Sequence, residues 1–213
     1  HDLYREDFRQ AGKEQLQALF QSQKPMNRLE QQLASKTGDA VWVSSRGMPL
    51  FKADGSLGGY RGESTDITEK KIAEEEKERQ IGFQKILTQI ATKYINLPLE
   101  QIDQAINQSL AELGSFLGVD RLYVYEYELD NQFCSNTYEW CAPGISPQIS
   151  NMQKVPMKEV IWWVKATCMG EVVDIPDVER LPKNDAVYQI LQAQGVQSLL
   201  CVPMMEEDRC WGF

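Results

Sequence analysis

Apolar and polar residues along the first third of the chain follow a helical pattern and then a strand-like one. A helical stripe predicts a helix over residues 2–21, which Lys24-Pro25 ends. Three strand-like stretches follow, and the Asp-Gly within Lys52–Gly55 predicts a tight hairpin turn, because that pair readily adopts positive φ. The predicted strands are Asn27–Ser35, Ala40–Phe51 and Leu57–Ser64. Together they predict an antiparallel meander.

A long helix is predicted from Asp66 to about Ile95. Asp66 and Glu69 have the spacing of a capping box. Nine of the eleven residues from Glu69 to Arg79 are charged, and an apolar stripe follows them. The residues assigned to this signalling helix are Asp66, Glu69, Phe83, Ile86, Leu87, Ile90 and Tyr94. Either this is a solvated linker or it is a connecting helix that pairs with its copy in a homodimer, and the apolar stripe favours the homodimer.

The second half of the chain mixes both patterns. Helices are predicted at Leu99–Leu117, where Gly118 ends the helix, at Val160–Thr167 and at Asp185–Gln194. The predicted strands are Val119–Leu129, Cys134–Trp140, Val172–Ile175, Ser198–Met204 and Cys210–Phe213. This order is typical of an α+β fold, in which antiparallel sheets carry flanking helices.

Charge and hydropathy exclude several classes of protein. The chain has 213 residues, with 22 basic residues against 31 acidic ones and a net charge of −9. A nucleic-acid-binding protein normally presents a basic face to phosphates, so no nucleic-acid partner is expected. No apolar run reaches the roughly 18 residues that span a membrane, so no membrane contact is expected within this segment.

Histidine and cysteine usage narrows the chemistry further. The one histidine is His1, so no imidazole is available for a catalytic triad or a zinc site in the body of the chain. The five cysteines include no CxxC pair, which favours free thiols in a reducing, cytoplasmic location. We therefore expect no catalytic constellation and no metal site here. The two ends of the sequence predict a segment of a longer protein.

The sequence resembles two known families, each over a different part of the chain. The first resemblance is to the C-terminal half of a PAS domain, and it is carried by Gly38–Val43, Pro49, Asp54-Gly55, Gly58–Gly62 and Thr65–Lys71. The second is to a GAF domain. It is carried by Gly118–Arg121, Tyr125–Tyr127, Trp140-Cys141, Gly144-Ile145, Trp162-Trp163, Gly170–Pro176, Leu181-Pro182, Gly195–Ser198, Val202-Pro203 and Trp211–Phe213.

The two resemblances divide the chain into three parts. Residues 1–68 would be the C-terminal part of a PAS domain, 69–85 the connecting helix, and 86–213 a GAF domain that lacks its C-terminal end. Both families imply a profilin-like α+β architecture. Their order resembles the sensory region of a bacterial sensor histidine kinase, which would relay a signal to an output domain outside this segment. Diguanylate cyclases and phosphodiesterases, which carry similar modules, are the alternative.

Both resemblances also imply a small-molecule pocket between a sheet and its overlying helices. Tyr123, Tyr125 and Tyr127 share one face of their predicted strand, because side chains alternate. Further candidates for the pocket wall are Trp140, Trp162, Trp163 and Cys201. These rings either enclose a ligand or simply fill the core, and the sequence leaves both interpretations open.

The residues present disfavour the familiar cofactors, and the ligand stays unassigned. Haem usually needs a histidine, and a flavin adduct needs a cysteine in the PAS part, whereas the first cysteine is Cys134. A bilin is disfavoured because Cys168 is followed by Met169 and the domain has no histidine. A thiol-based redox enzyme is a further alternative. It would use Cys134 and Cys141, if they approach each other, although no histidine is present to activate a thiolate.

Overall fold

The computed structural model describes residues 17–18, 20–35, 37, 39–130 and 132–213. Most of the helix predicted over residues 2–21 therefore lies outside the described residues, although 17–18 and 20–22 are helical. Gly38 of the PAS-like motif also lies outside them. The chain divides into two compact units, His1–Gln84 and Lys85–Phe213.

The first unit contains a three-stranded antiparallel sheet. Its strands are β1 (Met26–Ala34), β2 (Ala40–Phe51) and β3 (Leu57–Asp66), in that order across the sheet. The turn between β2 and β3 is closed by Gly55 N–H, which donates to the Lys52 carbonyl at 3.0 Å. Gly55 has a φ of +81°, so the turn falls where Asp-Gly predicts it.

Hydrogen bonds tie the start of the long helix α1 (Thr68–Lys93) to the middle strand of this sheet. Ile67 N–H donates to the Trp42 carbonyl at 2.8 Å, and Trp42 N–H donates to Thr68 Oγ1 at 2.9 Å. Asp66 Oδ1 accepts from Thr68 N–H at 2.8 Å, and its bonds with Thr68 lower the pKa of the Asp66 carboxyl. The Asp-Ile-Thr sequence thus sets the point at which β3 gives way to the helix.

The second unit is an α+β domain. Its helices are α2 (Ile102–Leu117), α3 (Ile161–Cys168) and α4 (Ala186–Ala193), with 3-10 turns at Leu99–Gln101, Met157–Val160 and Val178–Arg180. Its strands are β4 (Arg121–Glu128), β5 (Phe133–Cys141), β6 (Val155–Pro156), β7 (Val173–Ile175), β8 (Leu199–Cys201), β9 (Met204–Glu206) and β10 (Arg209–Gly212). Gly118 ends α2 with a φ of +66°. The described residues contain no helix that is long and apolar enough to cross a membrane.

The main sheet of this unit has the strand order β6-β5-β4-β10-β9, and its described pairings are antiparallel. On one face, α2 packs against β5 so closely that a Cβ on Gly114 would lie 2.2 Å from the Trp140 ring. The other face carries the hydrophobic core, where Tyr125 and Tyr127 meet Trp163 of α3 and Leu191 of α4. The α+β class predicted from the sequence is confirmed.

One predicted strand is wrong. The apolar run Ser198–Met204 forms two strands, β8 and β9, rather than one. Pro203 lies between them and has no N–H to donate to a ladder. The chain changes sheets at this point, because β8 pairs with β7 whereas β9 pairs with β10.

Candidate functional site

A cavity of about 50 Å3 lies in the second unit, between the main sheet and the helices on its core face. The sheet contributes Tyr123, Tyr125 and Tyr127 from β4 and Cys134 from β5. Cys134 opposes Tyr127 in the strand register, so the two side chains share a face. The alternation of β4 therefore places three phenol rings on one wall of the cavity.

The opposite wall comes from the short helices, whereas Phe213 lies beside Tyr125 on the sheet side, where their backbones exchange two hydrogen bonds. Trp163 of α3 and Leu191 of α4 line that opposite wall, at 5% and 6% exposure. The Phe213 ring stacks on Tyr125 with a centroid distance of 4.8 Å and an interplanar angle of 7°. Because Phe213 also meets Trp163 at 5.3 Å, it joins the two walls.

The polar groups around this cavity are neutral. None of the described residues that line it is charged. Burial raises the pKa of Tyr123, Tyr125 and Tyr127, so all three are neutral phenols at physiological pH. The Tyr127 hydroxyl is bonded to Thr167 Oγ1 at 2.7 Å, and Thr167 is fully buried. A charged ligand would find no counter-charge on these walls.

A buried ion pair lies where β4 begins and β5 ends. Arg121 Nε lies 3.3 Å from Glu139 Oε1, and the two side chains are 11% and 2% exposed. Glu139 Oε2 also accepts from the backbone N–H groups of Gln148 and Ile149, each at 2.7 Å. The Arg121 guanidinium donates to the Ser146 carbonyl at 2.9 Å. This network, the Arg121–Glu139 pair, holds the loop after β5.

The same arginine reaches the end of helix α4. Arg121 donates to Gln194 Oε1 at 3.4 Å, and Gln194 Nε2 lies 3.5 Å from the Met152 sulfur. Gln194 and Met152 both line the cavity. The bond to Arg121 is long and therefore weak, whereas Gln194 Nε2 also donates to the Ile190 carbonyl at 3.2 Å within the same helix.

The predicted pocket residues fall in four places. Tyr123, Tyr125, Tyr127 and Trp163 line the cavity. Cys201 is 3% exposed and belongs to the surrounding core, which also contains Trp163. Trp162 is half-buried at 5.8 Å from Trp163, outside the cavity wall. Trp140 packs on Gly114, on the other face of the sheet.

Sequence reasoning missed several lining residues, of which Cys134, Met152, Gln194 and Phe213 are the most informative. Cys134 carried a usable signal, because strand alternation places it opposite the tyrosines once the register is known. Met152, Gln194 and Phe213 line the cavity because a loop, a helix end and a strand end meet there. No local sequence pattern predicts that meeting.

The residues assigned to the signalling helix differ in their position along the helix and in their exposure. Asp66 caps α1, and Glu69 lies in its first turn. Phe83 and Leu87 are 37% and 46% exposed, whereas Ile86 and Ile90 are half-buried. The Tyr94 hydroxyl donates to Ser109 Oγ of α2 at 3.2 Å, just beyond the end of α1.

The cysteines do not form a reactive pair at the predicted positions. Cys134 and Cys141 stand near opposite ends of the strand Phe133–Cys141, and seven residues of extended chain span about 23 Å. The expectation that these two thiols approach each other is therefore wrong. No group of three or more metal-ligating side chains occurs within the described part of the chain.

Burial predicts how the thiols react with an alkylating reagent. It raises the pKa of Cys134 to about 11 and that of Cys201 to about 12. Only about one thiol in a thousand is a thiolate three pH units below its pKa, so Cys134 alkylation in the native protein should accelerate about tenfold per pH unit from pH 8 to pH 10. Peptide mass spectrometry after timed iodoacetamide treatment measures this. Rapid labelling of Cys134 at pH 8, with Cys134→Ser identifying the peptide, would contradict it.

Comparison with known proteins places this geometry in a family. Residues 101–213 match the family model of the GAF domain. The chain is 30% identical over 188 residues to the methanogenesis regulatory histidine kinase FilI of Methanothrix harundinacea (strain 6Ac). That match covers 84% of this chain and 20% of the relative, so the chain spans about a fifth of the length of that kinase.

Solved structures are also similar to part of the chain. The blue-light absorbing form of the Thermosynechococcus elongatus PixJ GAF domain is 25% identical to this chain, with a TM-score of 0.45. The match covers 55% of this chain and 70% of that structure. The phycoerythrobilin-bound GAF domain of a cyanobacterial phytochrome is 18% identical to this chain, with a TM-score of 0.48. That match covers 63% of this chain and 77% of the phytochrome structure. Because the family model accounts for more than half of the residues, this chain belongs to the GAF domain family.

Proposed function

We propose that this chain is the sensory segment of a signal-transduction protein and that its GAF domain binds a small, uncharged, largely apolar molecule. One observation carries the proposal: the cavity between Tyr125 and Trp163 is walled by aromatic rings and neutral polar groups. Such a lining suits a heteroaromatic or amphipathic ligand. It disfavours cyclic nucleotides, whose phosphate would lack a cation on these walls.

The cavity is smaller than such a ligand, so binding must move part of its wall. About 50 Å3 is less than the roughly 150 Å3 that accommodates benzene in an apolar cavity. The side chain of Gln194 at the end of α4 reaches across the cavity rim with a long bond of 3.4 Å to Arg121 and a contact of 3.5 Å with the Met152 sulfur. We propose that the ligand displaces α4 at Gln194, and that this displacement is the signal.

The output of the whole protein is proposed to be a histidine kinase. The relative that supports this is named as a histidine kinase, and the match covers a fifth of it. The first unit is proposed to be the C-terminal part of a PAS domain, since its meander ends in the hydrogen-bonded Asp66-Ile67-Thr68 junction. A kinase assay tests the output: ATP-dependent autophosphorylation of the full-length protein should change when a pocket ligand is added.

A thermal-shift screen tests the ligand proposal. We expect uncharged aromatics such as indole and toluene at millimolar concentration to raise the Tm of the wild-type chain by a few degrees, through preferential binding to the folded state. Cyclic nucleotides, haem and bilins form the second half of the panel. A rise in Tm with a cyclic nucleotide and none with the uncharged compounds would contradict the proposal.

We also propose that α1 pairs with its copy in a homodimer. None of the 26 residues of α1 is buried, and Ile72 and Leu87 are 50% and 46% exposed. A helix of this length is usually stabilised by packing of an apolar face rather than by propensity. Residues 72, 83, 87 and 90 fall within one stripe at 100° per residue, which a second copy would cover.

Charge at one position of this stripe should break the dimer. Leu87→Glu is expected to weaken dimerisation by about tenfold or more, because a buried leucine contributes about 2 kcal/mol. Gln89→Glu adds the same charge on the opposite side of the helix and is the matched control. Sedimentation equilibrium measures both. A wild-type chain that is monomeric at high concentration, or equal effects of the two variants, would contradict this pairing.

A further inference from the structure

Asn136 carries a polar group that the fold leaves without a partner. The residue is 1% exposed, and neither Nδ2 nor Oδ1 of its side chain has a hydrogen-bond partner among the described residues. Its backbone, in contrast, is satisfied: Asn136 N–H donates to the Met152 carbonyl at 2.9 Å, and its carbonyl accepts from Gln153 at 2.7 Å. Buried amides are almost always hydrogen-bonded, so this carboxamide needs an explanation.

The strand register places Asn136 on the cavity face of the sheet. It is two residues from Cys134 on β5, so both side chains point to the same face, and it opposes Tyr125 of β4. The irregularity in this ladder falls at Thr137, beyond both of them. Asn136 does not line the cavity, but its neighbours Tyr125, Cys134 and Met152 do. Met152 is a flexible side chain that can move aside.

The surroundings of Asn136 determine what can pair with it. A carboxamide offers one acceptor and one donor group side by side. The adjacent Tyr125 is a neutral phenol, and none of the described cavity-lining residues is charged. The complementary group is therefore an uncharged one that presents an N–H and a carbonyl oxygen next to each other.

We propose that the Asn136 carboxamide selects the ligand of this pocket and that the ligand carries a lactam or a similar cis-amide. The inference rests on the proposed function, because it specifies the ligand class of the same GAF pocket. In the bound state, Asn136 Nδ2 donates to the ligand carbonyl and Oδ1 accepts from the ligand N–H. The ligand displaces Met152 to reach the amide, while its ring lies among Tyr125, Trp163 and Phe213.

Three small probes separate this proposal from simple apolar binding. The probe 2-pyridone has the lactam edge, 1-methyl-2-pyridone lacks the N–H, and toluene lacks both groups. Kd values for the wild-type 213-residue chain come from NMR titration. We expect 2-pyridone to bind about tenfold more tightly than 1-methyl-2-pyridone, because the methylated probe leaves Asn136 Oδ1 unpaired. This comparison needs no protein variant.

The Asn136→Leu variant completes the test. We expect it to abolish the preference for 2-pyridone, to leave the Kd of toluene within about twofold, and to keep or raise the Tm, since it removes an unpaired buried amide. A lower Tm would assign Asn136 a structural role and overturn the inference, as would equal wild-type affinities for the two pyridones while toluene binds. If none of the three probes binds wild-type protein, the proposed function itself fails.

Discussion

Gly212→Ala is expected to destabilise the GAF domain by about 3 kcal/mol or more. A Cβ at Gly212 would lie 1.8 Å from the Tyr125 carbonyl oxygen, and its φ of +151° disfavours any L side chain. Both atoms that clash belong to paired strands, so neither can rotate away. The adjacent bonds between Tyr125 and Phe213, at 2.7 and 2.9 Å, would be lost with it.

Urea denaturation followed by tryptophan fluorescence measures this effect. Gly170→Ala is the matched control, because Gly170 has a φ of +77° but nothing within 4 Å of an added Cβ. The control variant should lower the free energy of unfolding by only about 1 kcal/mol, which is the cost of holding an alanine at positive φ. Equal destabilisation by the two variants would mean that β10 does not pair with β4 as described. The Gly212 variant should also lose ligand binding, because Phe213 forms part of the cavity wall.

Glu139→Gln is expected to destabilise the same domain by about 3 kcal/mol. The substitution leaves Arg121, which is only 11% exposed, without a compensating charge. It also replaces a carboxylate oxygen that accepts two N–H groups, from Gln148 and Ile149, with an amide that satisfies them less well. Removing one partner of a buried ion pair is costly because the other charge stays desolvated.

Glu126→Gln provides the control for this second variant. Glu126 lies on β4 of the same sheet and is exposed, so loss of its charge should change the free energy of unfolding by no more than about 0.5 kcal/mol. The loop after β5 should become more susceptible to proteolysis in the Glu139 variant alone. Equal unfolding free energies for the two variants would show that the Arg121–Glu139 pair does not stabilise the fold.

Local patterns in the sequence predict most of the elements of this fold. Strand β2 begins at Ala40 and ends at Phe51 as predicted. Polar residues precede it and the Asp-Gly turn follows it, so both of its ends are marked in the sequence. The alternation of Tyr123, Tyr125 and Tyr127 correctly places three rings on one wall, since a strand has only two faces.

The rest of the site depends on tertiary packing, which local patterns do not encode. Trp162 and Trp163 are adjacent and equally apolar, yet only Trp163 lines the cavity, because the orientation of α3 on the sheet decides which ring points inward. Trp140 looks like a pocket residue from its type, but the irregularity of β5 at Thr137 shifts the alternation, so that Trp140 opposes Leu122 and lies on the other face, against Gly114. The unpaired amide of Asn136 could not be predicted from the sequence, because it depends on which groups surround the side chain in the folded domain.

If an uncharged small molecule enters between Tyr125 and Trp163, its position in the bound state can be measured. The measurement is a set of intermolecular NOEs between 2-pyridone or toluene and the assigned aromatic protons of the wild-type chain. We expect NOEs to the rings of Tyr125, Trp163 and Phe213, which line the cavity. NOEs confined to the surface groove at Gln148 and Gln189, or binding that persists unchanged in the Gly212→Ala variant, would contradict this expectation.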